Sequence, residues 1–302
     1  MLFERFAKVE PILKGFSCDM KYCVTAYDGT KYLLRITPAD KSETRKDLFE
    51  MLKRVAALGV PMCKPLEFGD CPDGVYILYS WIDGEDLDAA LPKLSESEQY
   101  KLGEKAGEVL RVIHTIPAPE NQEDWAAIYN SKTDIKIKEY QGIEEIQFDG
   151  GEYFIKYIEQ NRELLENRPQ CFIHGDYHAY NMMLENGKLI IIDFGNFSYR
   201  DPWEEFFKII FCAQVSPHFA TGRIHGYFDG EPPPEFFKLL AFYTSNRTLL
   251  AIKWAMQFGQ SQVDITRKII ENILKWHDNM NNLVPSWYLK NYKLKYKKGL
   301  KT

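Results

Sequence analysis

The chain has 302 residues, 45% of them hydrophobic and 27% charged, with a net charge of −5. That balance describes a globular protein long enough for one large domain or two lobes, and its negative charge disfavours nucleic acid as a partner while suiting a cationic small molecule. Six cysteines without a C-x-x-C pair, a start without a basic-then-apolar leader, and an apolar stretch at 236–258 broken by Lys238, Arg247 and Lys253 predict a cytoplasmic protein with free thiols and no membrane contact.

Residues 21–27 and 31–37 are β-rich and meet around Asp28-Gly29, which predicts a two-residue hairpin. Before them, residues 14–22 carry Gly15 and Ser17, enough to turn backbone N–H groups over a phosphate although no G-x-G-x-x-G is present. An ordinary turn is the simpler account of those two residues. From Ser42 to Leu58, Leu48, Leu52 and Val55 recur at helical spacing, and Gly59 ends the helix. Glu43 and Glu50 on that helix are both candidate partners for Arg35. Val75 to Trp81 reads as a buried strand running into a polar break.

Ser95 and Glu98 form a capping box that opens a helix with Leu102, Ala106, Val109 and Ile113 on one stripe, in which Gly103 and Gly107 admit a close neighbour. Residues 117–150 read as short helices and loops, followed by a helix over about 152–166.

The stretch from Cys171 to Ser198 carries the chemistry. His174-x-Asp176 is followed by Asn181 and then by Asp193-Phe194-Gly195. Two short apolar runs flank Asn186-Gly187, the strongest short hairpin signal, and a two-residue loop there sets Asn181 opposite Ile192, one residue from Asp193. An amide oxygen and a carboxylate brought together in this way suit Mg²⁺, which takes few protein oxygens plus water and phosphate. A turn capped by His174, Asp176 and Asn181 is the structural alternative. A transition-metal cluster on His174, Asp176 and His178 is the chemical one, but Cys171 and His114 are poor completions of such a set.

Beyond it, Asp201-Pro202 starts a helix whose first turn holds Glu204 and Glu205. Residues 216–234, with three glycines and four prolines, read as a long functional loop between that helix and two more at 235–258 and 261–280. Asp229 and Glu231, with Tyr227, Phe228 and Trp254, make an acidic, aromatic-walled cleft a candidate there. The Lys-rich tail, 290–302, reads as a solvated or packed terminus.

The spacing H-x-D-x4-N followed by D-F-G is the phosphoryl-transfer signature of protein kinases. With Gly175 after His174 and His178 after Tyr177, the sequence resembles the aminoglycoside phosphotransferases and related small-molecule kinases, most densely over 12–84 and 171–206. The resemblance implies an α+β, protein-kinase-like bilobal fold: residues 1–84 as a small antiparallel sheet with one main helix, and 85–302 as a larger, mostly helical lobe.

It further implies Asp176 as the catalytic base and Asn181 and Asp193 as Mg²⁺ ligands. ATP or GTP would be held by Ser17, Leu33, Arg35, Glu50, Tyr79, Ser80, Ile82 and Ile192. Arg35 is a departure, standing where kinases place a lysine. The acids Asp201, Glu204, Glu205, Asp229 and Glu231, with Trp254, would face a cationic acceptor. The expected activity is phosphorylation of a small-molecule hydroxyl, with an aminoglycoside-like antibiotic as the leading label. A metabolite kinase acting on a sugar, choline or another amino alcohol is the alternative, and a nucleotide-binding module without transfer the rival from another class.

Overall fold

In the computed structural model, residues 2–13 and 19–292 are described, so Ser17 and the end of the Lys-rich tail lie outside the described residues. The chain forms two units, one from residues 1–90 and 179–196, the other from 91–178 and 197–302.

The first unit is built on a five-stranded antiparallel sheet: β1 (Lys8–Pro11), β2 (Met20–Thr25), β3 (Lys31–Thr37), β4 (Pro65–Cys71) and β5 (Gly74–Ser80), in the order β1-β2-β3-β5-β4. Val24, Leu34, Ile36, Tyr76 and Leu78 bury one face together with Phe6. Helix α1 (Ser42–Ala57) buries Leu48, Met51, Leu52 and Val55, and Gly59 follows it at φ +76°, a left-handed stop that a glycine adopts at little cost. A short strand β6 (Glu85–Asp86) precedes α2 (Leu87–Ala90) and pairs with β8 (Met182–Glu185), which turns into β9 (Lys188–Ile191).

The two hairpins that matter differ. Asn186 and Gly187 take φ +51° and +75° between Glu185 and Lys188, the expected two-residue loop with both central residues left-handed. Around Asp28 the loop is longer by one residue than expected. Thr25 pairs with Lys31, the Ala26 N–H donates to the Thr30 carbonyl, and Gly29 alone in the turn is left-handed at φ +87°. That bulged turn sets Lys21 opposite Arg35, where a two-residue loop sets it opposite Ile36.

The second unit is helical: α3 (Glu96–Ile113), α4 (Trp125–Gly142), α5 (Gly151–Gln160), α6 (Ile209–Val215), α7 (Pro217–Phe228), α8 (Pro234–Thr248), α9 (Ala251–Met256) and α10 (Gln260–Trp276), with a two-stranded pair of β7 (Cys171–Ile173) and β10 (Ser198–Arg200). The Ser95 capping box forms in full. Several segments depart from expectation: the helix expected over 235–258 breaks at 249–250 into α8 and α9, and the one expected over 152–166 ends at Gln160. Residues 125–142 are one continuous helix capped by the Asp124 carboxylate, which accepts from the Ala127 N–H at 2.9 Å, not short pieces.

Residues 217–228, expected as loop, form α7. Ser216 caps it and Pro217 opens it. Its glycines serve packing instead of turning: a Cβ on Gly222 would lie 2.2 Å from the Tyr100 carbonyl oxygen and one on Gly226 1.9 Å from that of Glu104. On α3, a Cβ on Gly103 or Gly107 would meet the Phe219 and Arg223 carbonyls at 2.2 and 2.1 Å. The two glycine pairs let the α3 and α7 backbones touch.

Candidate active site

In the first unit, the expected hairpin register is met. The Ile192 N–H donates to the Asn181 carbonyl at 3.1 Å, continuing the ladder in which Met182 faces Ile191. Asn181 and Asp193 therefore both line one cavity of about 620 Å³, within the range of small-ligand sites. Asp193 sits at φ +61°, a left-handed conformation that aspartate tolerates at some cost and that is common at functional sites.

Leu33, Arg35, Tyr79, Ser80, Ile82 and Ile192 line the same cavity. Ser80 ends β5: its N–H donates to the Lys64 carbonyl at 2.9 Å and its own carbonyl receives the Cys63 thiol. Tyr79 is buried opposite Leu33, and burial raises the pKa of its phenol.

Arg35 is the charged centre of this cavity. Its guanidinium donates to Asp193 Oδ1 at 3.2 Å and, through Nε and a terminal nitrogen, to Asp19 Oδ2 at 3.2 and 2.8 Å. Burial opposes its charge, but Asp193 and then Tyr79 and Asp19 outweigh it and raise its pKa. Asp19 is buried and is also held by Arg45 of α1 and by the Thr37 hydroxyl. Burial works against the Asp19 carboxylate too, yet Arg35 and Arg45 bring its pKa below the ordinary value.

The expected Arg35–Glu50 pair is therefore corrected. Glu50 is exposed and pairs with Lys53, one turn on, while the α1 contribution comes from Arg45 through Asp19. The sequence signal that was missed is the register of the Asp28 loop, which would also have singled out Lys21 as a second basic cavity residue.

In the second unit, Asp176 lies on the loop after β7. His178 Nε2 stands 2.9 Å and Lys208 Nζ 2.7 Å from its Oδ1. Burial alone would raise the Asp176 pKa, but the His178 hydrogen bond and charge and the Lys208 charge hold it well below the usual carboxylate range. The loop backbone is fixed by a fully buried Glu205, which accepts from the N–H groups of Gly175 at 3.0 Å and Tyr177 at 3.3 Å. Arg223 of α7 ties the Tyr177 carbonyl at 2.7 Å to the Glu205 carbonyl at 3.4 Å, and Glu205 also faces His114 at 4.0 Å.

The acids expected to face a cationic acceptor are engaged elsewhere. Asp201, Glu204 and Glu205 have side chains that are 0% exposed. Asp201 receives both Arg168 nitrogens at 2.6 and 3.0 Å and the Tyr243 hydroxyl at 2.6 Å, and Glu204 is held by Arg247 and Arg200. Asp229 is the left-handed residue that ends α7, and Glu231 accepts from the Tyr288 hydroxyl and the Asn291 N–H. Tyr227 bonds His114, and Phe228 packs on Trp203, Phe206 and Phe236, so neither walls an open cleft. Trp254 is half exposed beside Phe258.

A sheet unit whose cavity carries Arg35, Asn181 and Asp193, and a helical unit with an Asp176 loop fixed by buried ions, define a kinase-like phosphotransferase fold. Solved structures agree. Over 91% of this chain and 95% of theirs, coordinates superpose with a TM-score of 0.66 at 15% identity on a thermostable mutant of aminoglycoside phosphotransferase APH(4)-Ia in ternary complex with ADP and hygromycin B. The GDP complex of aminoglycoside 2'-phosphotransferase-IIIa gives 0.65 at 13% identity over 92% and 94%. Amicoumacin kinase hAmiN, in complex with AMP-PNP, Ca²⁺ and Ami, gives 0.62 at 15% over 91% and 90%. No curated protein matches in sequence. Residues 8–237 match the profile of the phosphotransferase enzyme family (APH), and the chain belongs to that family.

Proposed function

We infer that the protein transfers the terminal phosphoryl group of ATP or GTP to a hydroxyl of a small molecule. The observation that carries this reading is a cavity of the first unit in which Arg35, Asn181 and Asp193 stand together with an apolar lining of Leu33, Tyr79 and Ile192. A purine fits between the apolar side chains, and the Arg35 fork supplies donors for phosphate. The similar structures were obtained with ADP, GDP or AMP-PNP, which supports a nucleotide as occupant.

The donor set fits Mg²⁺. Asn181 and Asp193 offer one amide oxygen and one carboxylate, and no group of three or more His, Cys, Asp or Glu placed to hold a metal occurs among the described residues, so nucleotide oxygens and water would complete the shell. Bound with the nucleotide, such an ion neutralises charge on the phosphates.

In the reaction the acceptor oxygen bonds to the γ-phosphorus as the bond from that phosphorus to the β,γ-bridging oxygen breaks, and nucleoside diphosphate leaves. Asp176 orients the hydroxyl and takes its proton, which then passes to solvent. A carboxylate with so low a pKa is a weak base in the resting protein, so its first task is aiming the hydroxyl. Glu205 and Arg223 keep the loop in place while it does so.

Stabilisation by ATP or GTP with Mg²⁺ in a thermal-shift measurement, together with acceptor-dependent release of nucleoside diphosphate that Asp176→Asn abolishes, is the expected result. Stabilisation without release on any alcohol returns the reading to a nucleotide-binding module. Full turnover by Asp176→Asn removes Asp176 from its role.

A further inference from the structure

The acceptor side of the second unit is poor in free acid and rich in base. Lys208 holds the Asp176 carboxylate and lies 5.2 Å from the centre of the Phe207 ring; the Arg247 guanidinium lies 4.8 Å from the centre of the same ring. Arg247 and Arg200 share one carboxylate, Glu204, whose side chain is fully buried, while each of the two arginines keeps 31% of its own side chain exposed. Beside them is Lys136 on α4, its ammonium donating to Asn246 Oδ1 at 2.6 Å, with the Asn246 amide donating in turn to the Thr133 hydroxyl at 2.7 Å. Lys132 precedes it by one turn of α4.

Glu204 is the carboxylate ion-paired with this group and Glu205 acts on Arg247 through space, so Arg200, Arg247, Lys136 and Lys132 outnumber the acids that face them. Unlike Arg168, which meets its own carboxylate at Asp201, this group is under-neutralised. Its effect is seen at Lys136, where burial first, and then the Arg247 charge, opposed by Glu204, followed by Arg200 and Lys132, bring the ammonium down to about 7. A half-buried ammonium bonded to a neutral amide beside two partly exposed guanidinium groups is a setting that a bound anion would stabilise. Phe207 connects this patch to the Lys208–Asp176 pair.

We propose that the acceptor of this phosphotransferase carries an anionic group, a carboxylate or a phosphate ester, which binds at Arg247, Arg200 and Lys136 while its hydroxyl is offered to Asp176. The proposal rests on the phosphotransferase reading above and reverses the charge expected of the acceptor: a polycationic aminosugar would meet four bases here.

Two measurements keep the proposal and that reading distinguishable. The first needs no turnover. With saturating ADP present to occupy the nucleotide cavity, the Lys136 ammonium is titrated by NMR in protein carrying ¹³C-labelled lysine, assigned through Lys136→Gln, with and without inorganic phosphate or D-gluconate. Either probe should raise its pKa by about one unit, and no movement with either overturns the anion site.

The second is a coupled assay of nucleoside diphosphate release on glucose, glucosamine, gluconate and glucose 6-phosphate. The anionic members should exceed their neutral and cationic counterparts by about 100-fold in kcat/KM, and the better of the two names the anion as carboxylate or phosphate. Lys136→Gln should raise KM for that acceptor about 10-fold with kcat nearly unchanged, and Lys136→Arg should restore most of it. Turnover of glucosamine unaffected by Lys136→Gln overturns the anionic acceptor and leaves the phosphotransferase standing. A Lys136 response without turnover of any alcohol upholds the anion site and counts against the transfer reaction alone.

Discussion

Two short stretches, 176–193 and 201–205, hold six carboxylates between them, and five of these are used in opposite ways. Asp176 and Asp193 keep 22% and 45% of their side chains open, while Asp201, Glu204 and Glu205 keep none. The open acids are met by bases that a substrate can displace or share. The closed ones are matched by Arg168, Arg247, Arg200 and the loop N–H groups, and give those elements their positions. Acidity near a signature motif is therefore no guide to what an acid touches; burial and partners decide it.

The contrast is broken most directly by exchanging single acids. Asp176→Asn should lower turnover by about 10²- to 10⁴-fold, read as nucleoside diphosphate release, with nucleotide affinity and melting temperature close to wild type. Asp201→Ala should act the other way, leaving Arg168 buried without its carboxylate and costing about 3–5 kcal/mol of stability by denaturant titration. A melting temperature unmoved by Asp201→Ala would show that the closed acids hold nothing.

Acid pH probes the same difference. Burial raises the Glu205 pKa, but His114 standing 4.0 Å away, the His174 charge and the Gly175 N–H together bring it from 4.5 to about 2. A depressed folded-state value contributes stability that is present above pH 4.5 and lost as pH falls toward 2, so Glu205→Gln should flatten the decline of stability over that window. The smallest expected effect is at Glu50. Exposed and paired only along its own helix, Glu50→Gln should change stability by less than about 0.5 kcal/mol and nucleotide affinity not at all, whereas Asp19→Asn, which loosens Arg35, should weaken nucleotide binding several-fold.

What the sequence made legible follows from how local each signal is. Asn186-Gly187 dictates its own loop, and with it the register that carries Asn181 and Asp193 into one cavity. The Ser95 capping box and the Gly59 stop are equally local and equally well read. Where a residue has two physical uses, the sequence alone did not choose between them. Gly222 and Gly226 could serve a turn or a close helix contact, and only the matching Gly103 and Gly107 on α3 select the second. Asp28-Gly29 could close a loop of two residues or of three, and that single residue decides whether Lys21 stands opposite Ile36 or opposite Arg35. The fate of Glu204 was illegible for a further reason: its partner Arg247 lies 43 residues away on a helix whose facing depends on the packing of the whole second unit.

The excursion of residues 179–196 into the first unit has a consequence for how the protein is made. A ribosome releases the five-stranded sheet early, yet the hairpin bearing Asn181 and Asp193 emerges only after nearly two thirds of the chain has been synthesised. The nascent N-terminal segment must wait, its cavity lacking one wall, while helices of the other unit are already leaving the exit tunnel. A fragment ending at residue 90 should for the same reason fail to bind nucleotide, however well its sheet folds.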